Sequence, residues 1–137
     1  MNRAVLTATK IHLEATGHHV AVGQRPADVD GQLPFTVVYM ANTDNDNNDD
    51  DVANIDRAGN HIVHLQTWGT TYDSAGALAE DMDDRMKAEG IAPVGHVVTL
   101  VLRDRSAGPY RDDSTYPEPS RFRIDQWYRI WTEDSTI

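Results

Sequence analysis

From Arg121 to Thr132 the chain reads RFRIDQWYRIWT, with apolar and polar residues taking turns. Phe122, Ile124, Tyr128 and Ile130 hold one parity; Arg123, Asp125, Trp127, Arg129 and Trp131 hold the other. A period of two marks a β-strand whose faces meet different environments, so the fold must contain a sheet with one side on a core. The first set is expected to face that core. The second sends two tryptophans and two arginines to the outer side. These are residue types enriched at interface hot spots, and two exposed tryptophans on a sheet face are costly to leave wet. Arg123, Trp127, Arg129 and Trp131 are therefore the interface candidates. Their alternatives are burial against a second copy or another protein, and cover within the monomer by the second helix or a loop, with Arg stacked on Trp.

The rest of the chain supplies the elements around this strand. Ala4, Val5, Ala8, Ile11, His12 and Ala15 recur at three-and-four spacing, which predicts a helix over about 2–16, stopped by Gly17. His18 to Val22 is a short strand. Pro26 to Pro34 reads as a connection, and the β-branched and aromatic run Pro34 to Met40 reads as a strand buried on both faces. His61 to Trp68 forms a third strand ending at Gly69. A second helix begins near Tyr72 or Asp73, N-capped by Thr71 or Asp73, with Ala75, Leu78, Ala79, Met82 and Met86 as its apolar stripe. Arg85 and Lys87 suit the last turn of its macrodipole, and Gly90 closes it. A fourth strand is expected from His96 to about Arg105, with Val98, Leu100 and Leu102 on one face and Val97, Thr99, Val101, Arg103 and Arg105 on the other. A turn-rich stretch holding Gly108, Pro109, Pro117 and Pro119 follows it. The order α-β-β-β-α-β-β predicts an α+β fold: a mostly antiparallel sheet of about five strands with both helices packed on one face.

A length of 137 residues is one domain, 1–137, able to bury a single core. With 12 Lys+Arg against 22 Asp+Glu the net charge is −10, a poor balance for wrapping nucleic acid, where clustered cations must displace counterions from phosphates. The sequence contains no cysteine, so disulfides, thiolate metal sites and cysteine nucleophiles are excluded. No apolar run reaches the roughly 18 residues of a membrane span, and Met1 to Leu6 lacks a signal peptide's apolar stretch. The expected location is a cytoplasm or an assembly built there.

The outlier is the segment from about 42 to 60, a long acidic loop in which Asp44, Asp46, Asp49, Asp50 and Asp51 supply five of the ten net negative charges. Asp44, Asp46 and Asn48 match the opening of a calcium loop. The match then fails, because Asp49 stands where glycine is needed and Ile55 where the bidentate glutamate belongs. They are weak metal candidates, and a solvated loop is the simpler expectation. Among the histidines, His61 and His64 fall on opposite faces of one strand, His18 and His19 diverge, and His12 and His96 stand alone. No serine sits in a nucleophile elbow, and no phosphate-cradling glycine loop is present. No catalytic residue, metal site or cofactor is assigned.

Several stretches together resemble the tail terminator proteins of long-tailed (siphovirus-type) bacteriophages. They are the short N-terminal helix, the strand Pro34 to Tyr39, the strand-to-helix passage Ile62 to Ala75 and the closing Ser120 to Ile130. The resemblance covers most of the chain in element order and length. It implies a non-enzymatic protein of the virion, assembled in the host cytoplasm. Such a protein forms a hexameric ring at the head-proximal end of the tail tube and stops tube polymerisation. It also presents a surface to the head completion or connector protein. Its partners would be copies of itself, the tube protein and that connector, with DNA passing through without specific binding and no membrane involved. The acidic loop is longer than this plan requires. Part of it, Asp44 to Asp51, is expected at the channel or its rim, where like charge would keep DNA from sticking. Other readings are another head–tail joining protein of the neck, a Ca²⁺-binding module using the Asp/Asn loop, and a small enzyme whose pocket gathers His and carboxylate side chains.

Overall fold

A computed structural model describes residues 3–23, 33–40, 58–113 and 120–134. The element order is α1 (Arg3–Glu14), β1 (His19–Val22), β2 (Phe35–Met40), β3 (Ala58–Gly69), α2 (Tyr72–Lys87), β4 (His96–Asp112) and β5 (Arg121–Asp134). The α+β class, the α-β-β-β-α-β-β order and the largely antiparallel five-stranded sheet are as the sequence predicts. The spatial order is β1-β2-β3-β5-β4, with β1 parallel to β2 and every other neighbour pair antiparallel. Because β5 pairs with both β3 and β4, the crossover through α2 leaves a gap one strand wide, and the last strand fills it.

Both helices lie on one side of this sheet. Val5, Ala8 and Leu13 of α1 and Leu78, Met82 and Met86 of α2 share a core with Val20, Val38, Val63, Leu65, Tyr128 and Ile130. The apolar parity of the last strand thus faces the helices, with Tyr128 and Ile130 fully buried. The α2 start is fixed by a reciprocal cap: Thr71 Oγ1 accepts from the Ser74 amide, and Ser74 Oγ accepts from the Thr71 amide. Thr71, rather than Asp73, is the N-cap. The two helices are then bolted together at their C-terminal ends. His12 Nε2 lies 2.6 Å from the Arg85 carbonyl, to which it donates, and Arg85 Nε donates to the His12 carbonyl at 2.8 Å. Burial pushes the His12 imidazole below its ordinary value, the nearby Arg85 charge adds to this, and the backbone hydrogen bond only partly offsets them.

A second charged link ties α2 to the sheet. The Tyr128 hydroxyl donates to Asp83 Oδ1 at 2.6 Å, Lys87 Nζ is 2.8 Å from Oδ2, and Arg103 approaches to 3.6 Å. Burial alone would raise the Asp83 pKa, but the hydrogen bonds from Lys87 and Tyr128, with the two cations, hold it below the usual carboxylate value. Burial and the facing carboxylate push Tyr128 far up.

Three expectations need correction. The third strand begins at Ala58 rather than His61, so its first residues come out of the segment read as loop. The fourth strand runs through Gly108 and Pro109 to Asp112 instead of ending near Arg105, because it pairs with β5 along its whole length. Register shifts between Val98 and Leu100, Arg103 and Arg105, and Ala107 and Tyr110 break its simple alternation. Each β-bulge inserts a residue and resets which side chains face inward. Val98, Val101 and Arg103 therefore lie opposite inward-facing Thr132, Ile130 and Tyr128, whereas Leu100, Leu102 and Arg105 lie opposite Trp131, Arg129 and Trp127. The predicted grouping of Val98 with Leu100 and Leu102, and of Arg103 with Arg105, does not hold.

Candidate functional site: the open face of the sheet

The side of the sheet away from the helices carries the second parity of β5 and its cross-strand partners. Directly opposed residues on neighbouring strands share a face, so the register alone arranges these side chains in rows across the sheet. One row runs Tyr39, His64, Trp127, Arg105 from β2 to β4. The His64 and Trp127 rings stack with centroids 4.4 Å apart and planes 10° from parallel. Tyr39 tilts against His64 at 5.7 Å, and the Arg105 guanidinium lies 4.0 Å over the Trp127 ring. Trp127 is thus held between an imidazole and a guanidinium, the second a cation–π contact.

The next row places Asp125 opposite Gln66 and Ala107. Asp125 is 4% exposed, a costly place for a carboxylate unless it is paired. His64 Nε2 reaches its Oδ1 at 3.1 Å from the diagonal position on β3, and Arg123 Nε is 3.2 Å from its Oδ2. The Arg123 contact is ionic, since its angle does not make a hydrogen bond. The Arg123 head then lies between Trp68 and Tyr110, 5.7 Å and 5.2 Å from their rings, in the row that begins with Phe35. Phe35 stacks on Trp68 at 6.4 Å, and together with Val37 these form a second small cluster joined by Ala21, Leu33 and Tyr39. The expected two-sided burial of β2 holds: Phe35 and Val37 close this face, while Thr36 and Val38 face the other.

Toward the opposite end of β5, Arg129 donates to Asn60 Oδ1 at 3.2 Å, lies 3.8 Å from Asp104, and sits 5.9 Å from the Trp131 ring. All four interface candidates, Arg123, Trp127, Arg129 and Trp131, therefore occupy this one face. Cover by the second helix is ruled out, because α2 packs on the other side of the sheet. Instead the arginines and neighbouring rings half-cover one another. What stays most open is the β4 portion, where Leu100, Leu102 and Tyr110 are 46%, 51% and 46% exposed.

Elsewhere the histidines behave as the strand period requires. His61 is buried on the helix side, with Nε2 3.0 Å from Thr132 Oγ1, and His64 is on the open face. His18 is 3.2 Å from Asp81 on α2. Among the described residues no group of three or more His, Asp or Glu side chains could hold a metal. A cavity of about 440 Å³ lies between the end of α2 and the edge of β4. Among the described residues, Lys87 and Glu89 are its only charged lining residues, and no histidine reaches it. Asp44, Asp46, Asn48, Asp49, Asp50 and Asp51 lie outside the described residues. No described helix is long and apolar enough to cross a membrane.

Sequence reasoning missed His64, Asp125 and Arg105 as members of the site. Asp125 carried a signal, being a carboxylate inside an otherwise aromatic and basic strand face. Its partners depend on strand register, which the sequence does not display. The arrangement offers flat aromatic rings with guanidinium groups laid on them, around one buried carboxylate. No family model matches the chain, and no curated protein matches it.

Proposed function

We propose that this chain is a structural assembly protein acting through its open sheet face. In line with its resemblance to phage tail terminators, it would cap the head-proximal end of a tail tube as a homo-oligomeric ring without catalysing a reaction. The observation that supports this reading is the concentration of Trp127, Trp131, Arg105, Arg123 and Arg129 on a face that neither helix covers. Rigid aromatics and arginines give large contact area at small entropic cost, and they dominate the energetics of protein interfaces. Exposed Leu100, Leu102 and Tyr110 extend this into an apolar margin.

Disrupting the gene in the phage that encodes it tests the reading. Tails of uncontrolled length are the expected result. Tails of normal length that never join heads would move the protein to the neck as a joining protein. Normal virions would refute both.

A further inference from the structure

We propose that the free edge of β4 from His96 to Leu102 accepts an extended peptide segment of a partner protein as an added strand, a segment aliphatic on both faces and ending in a lysine or arginine. This surface is the edge of the sheet and not its open face, so the proposal goes beyond the assembly reading and does not depend on it.

In the described sheet β4 has β5 as its one hydrogen-bonded neighbour, so its outer row of amides and carbonyls has no strand beside it. An extended backbone supplies donors and acceptors at the matching spacing, which is how strand addition gains affinity. The cavity of about 440 Å³ at the end of α2 lies along this same edge. Val98, Thr99, Leu100 and Val101 line it together with Met86 and Ile91. Successive strand side chains alternate between faces, so a space touching four consecutive residues must reach the edge of the strand. On the helix side of that edge Val98 and Val101 pack against the core beside Met86 and Ile91. On the open side Val97, Leu100 and Leu102 are 51%, 46% and 51% exposed. A strand laid beside β4 would set its side chains against these two groups in turn, which calls for aliphatic residues at both parities.

The rest of β4 is guarded against pairing. From Arg103 to Asp112 it carries five charged residues, Arg103, Asp104, Arg105, Arg111 and Asp112, with two register shifts and Pro109, which has no amide hydrogen. Charges, bulges and proline are the devices that keep sheet edges from associating. His96 to Leu102 reads HVVTLVL, with no Asp, Glu, Lys, Arg or Pro. Its one bulge is closed back onto β5, where Thr99 Oγ1 donates to the Trp131 carbonyl at 3.3 Å. The unguarded stretch is thus the stretch beside the cavity. Charge then sets the partner's end. Lys87 and Arg103 are both drawn to Asp83. Glu89 in the cavity lining and Glu133 opposite Val97 are exposed and make no ion pair among the described residues. The balance of these five groups is negative, which favours a cationic residue on the incoming segment. The same balance disfavours a second copy, because two β4 edges meeting would bring Glu89 and Glu133 of both copies to one seam.

Fluorescence anisotropy with the labelled peptide Lys-Val-Val-Thr-Val-Leu-Lys tests this. Its controls are a copy with glutamate at both ends and two copies N-methylated on alternate amides, one for each parity. Micromolar binding is expected for the lysine peptide, and binding about tenfold weaker or worse for the glutamate peptide. One N-methylated peptide should lose binding and the other keep it, because an added strand turns only one of its two edges to β4. In the protein, Ala88→Phe fills the cavity from its exposed rim, and Glu89→Lys with Glu133→Lys reverses the local charge. Each variant should bind the lysine peptide about tenfold more weakly or worse, with thermal melts verifying that both fold. The peptide comparison uses the wild-type chain alone and stands without them. No binding up to about 1 mM overturns the proposal, as do N-methylated peptides that both bind like the parent, or Ala88→Phe binding like wild type. A glutamate peptide that binds as well as the lysine peptide overturns the assigned partner chemistry. A wild-type dimer in sedimentation that the peptide dissociates overturns it in favour of a second copy at this edge. These results are independent of gene disruption, which tests the assembly reading.

Discussion

Replacing Asp83 with alanine is the most informative perturbation of the fold, because that carboxylate joins the helix layer to the sheet. In the native protein it accepts the Tyr128 hydroxyl at 2.6 Å, where Tyr128 has no exposed surface. The substitution leaves that hydroxyl without its acceptor, and an unsatisfied buried donor costs about 1–3 kcal/mol. The contacts to Lys87 and Arg103 add little, because those side chains are 55% and 44% exposed and water screens them. A loss of about 2 kcal/mol follows. For 137 residues the unfolding entropy is about 0.29 kcal/mol/K, so the midpoint should fall by about 7 °C. Tyr128→Phe keeps the ring packed and leaves Asp83 its lysine, at a cost of about 1 kcal/mol. In the double variant neither partner is stranded, and the combined loss should be smaller than the sum by about 1 kcal/mol. Differential scanning calorimetry of the four proteins at pH 7 measures the cycle. Additive losses within about 0.3 kcal/mol, or a midpoint shift below about 1 °C for Asp83→Ala, would refute the reasoning.

Other outcomes follow from single contacts. Asp83 is held below its ordinary value, so its contribution is present above the usual carboxylate range and is lost as pH falls through its lower folded value. Tyr128 is shifted the other way; its contribution is present below the ordinary phenol value and is lost as pH rises beyond it, a decline that Tyr128→Phe should remove. His12 is depressed by burial, so the folded state binds fewer protons there, and stability present above about pH 6.5 should be lost on acidification. The urea midpoint should therefore drop less between pH 7.5 and 5.5 in His12→Gln than in wild type, and an equal or larger drop would contradict the assignment. Thr71→Ala removes the α2 cap and should cost about 1 kcal/mol, read as a thermal shift of about 3 °C. Gly69→Ala should cost more, because its Cβ would lie 2.6 Å from the Ala75 amide nitrogen and the strand-to-helix turn would have to move. A thermal midpoint unchanged in that variant would count against the turn geometry.

Much of the fold was legible because period and local chemistry carry it. The alternation from Phe122 to Ile130 told which side of β5 meets the core, and the stripe from Ala75 to Met86 told which side of α2 does. Gly69 marked the end of β3 and Thr71 was one of the two caps read for α2, while the reciprocal bond with Ser74 and the close approach at Gly69 came from the structure. The four outward residues Arg123, Trp127, Arg129 and Trp131 were readable for the same reason, since a two-residue period fixes the face before any partner is known.

What the chain's own order could not reveal is which residues from distant strands lie beside these. The first β4 bulge reverses the faces of Leu100, Val101, Leu102 and Arg103, the second restores the parity at Arg105, and an inserted residue has no signature in an alternating pattern. The row Tyr39, His64, Trp127, Arg105 exists only because β5 enters between β3 and β4, and a one-residue slip would send every one of those side chains elsewhere. Asp125 likewise stands out in the sequence as a carboxylate among aromatic and basic neighbours, but its partner is unreadable until His64, 61 positions earlier, is brought to 3.1 Å. Sequence determined the two faces of β5, because side-chain direction along an unbroken strand is a local property. Only the tertiary structure decided what stands next to what on the open face, because register is set by the packing of the whole sheet at once.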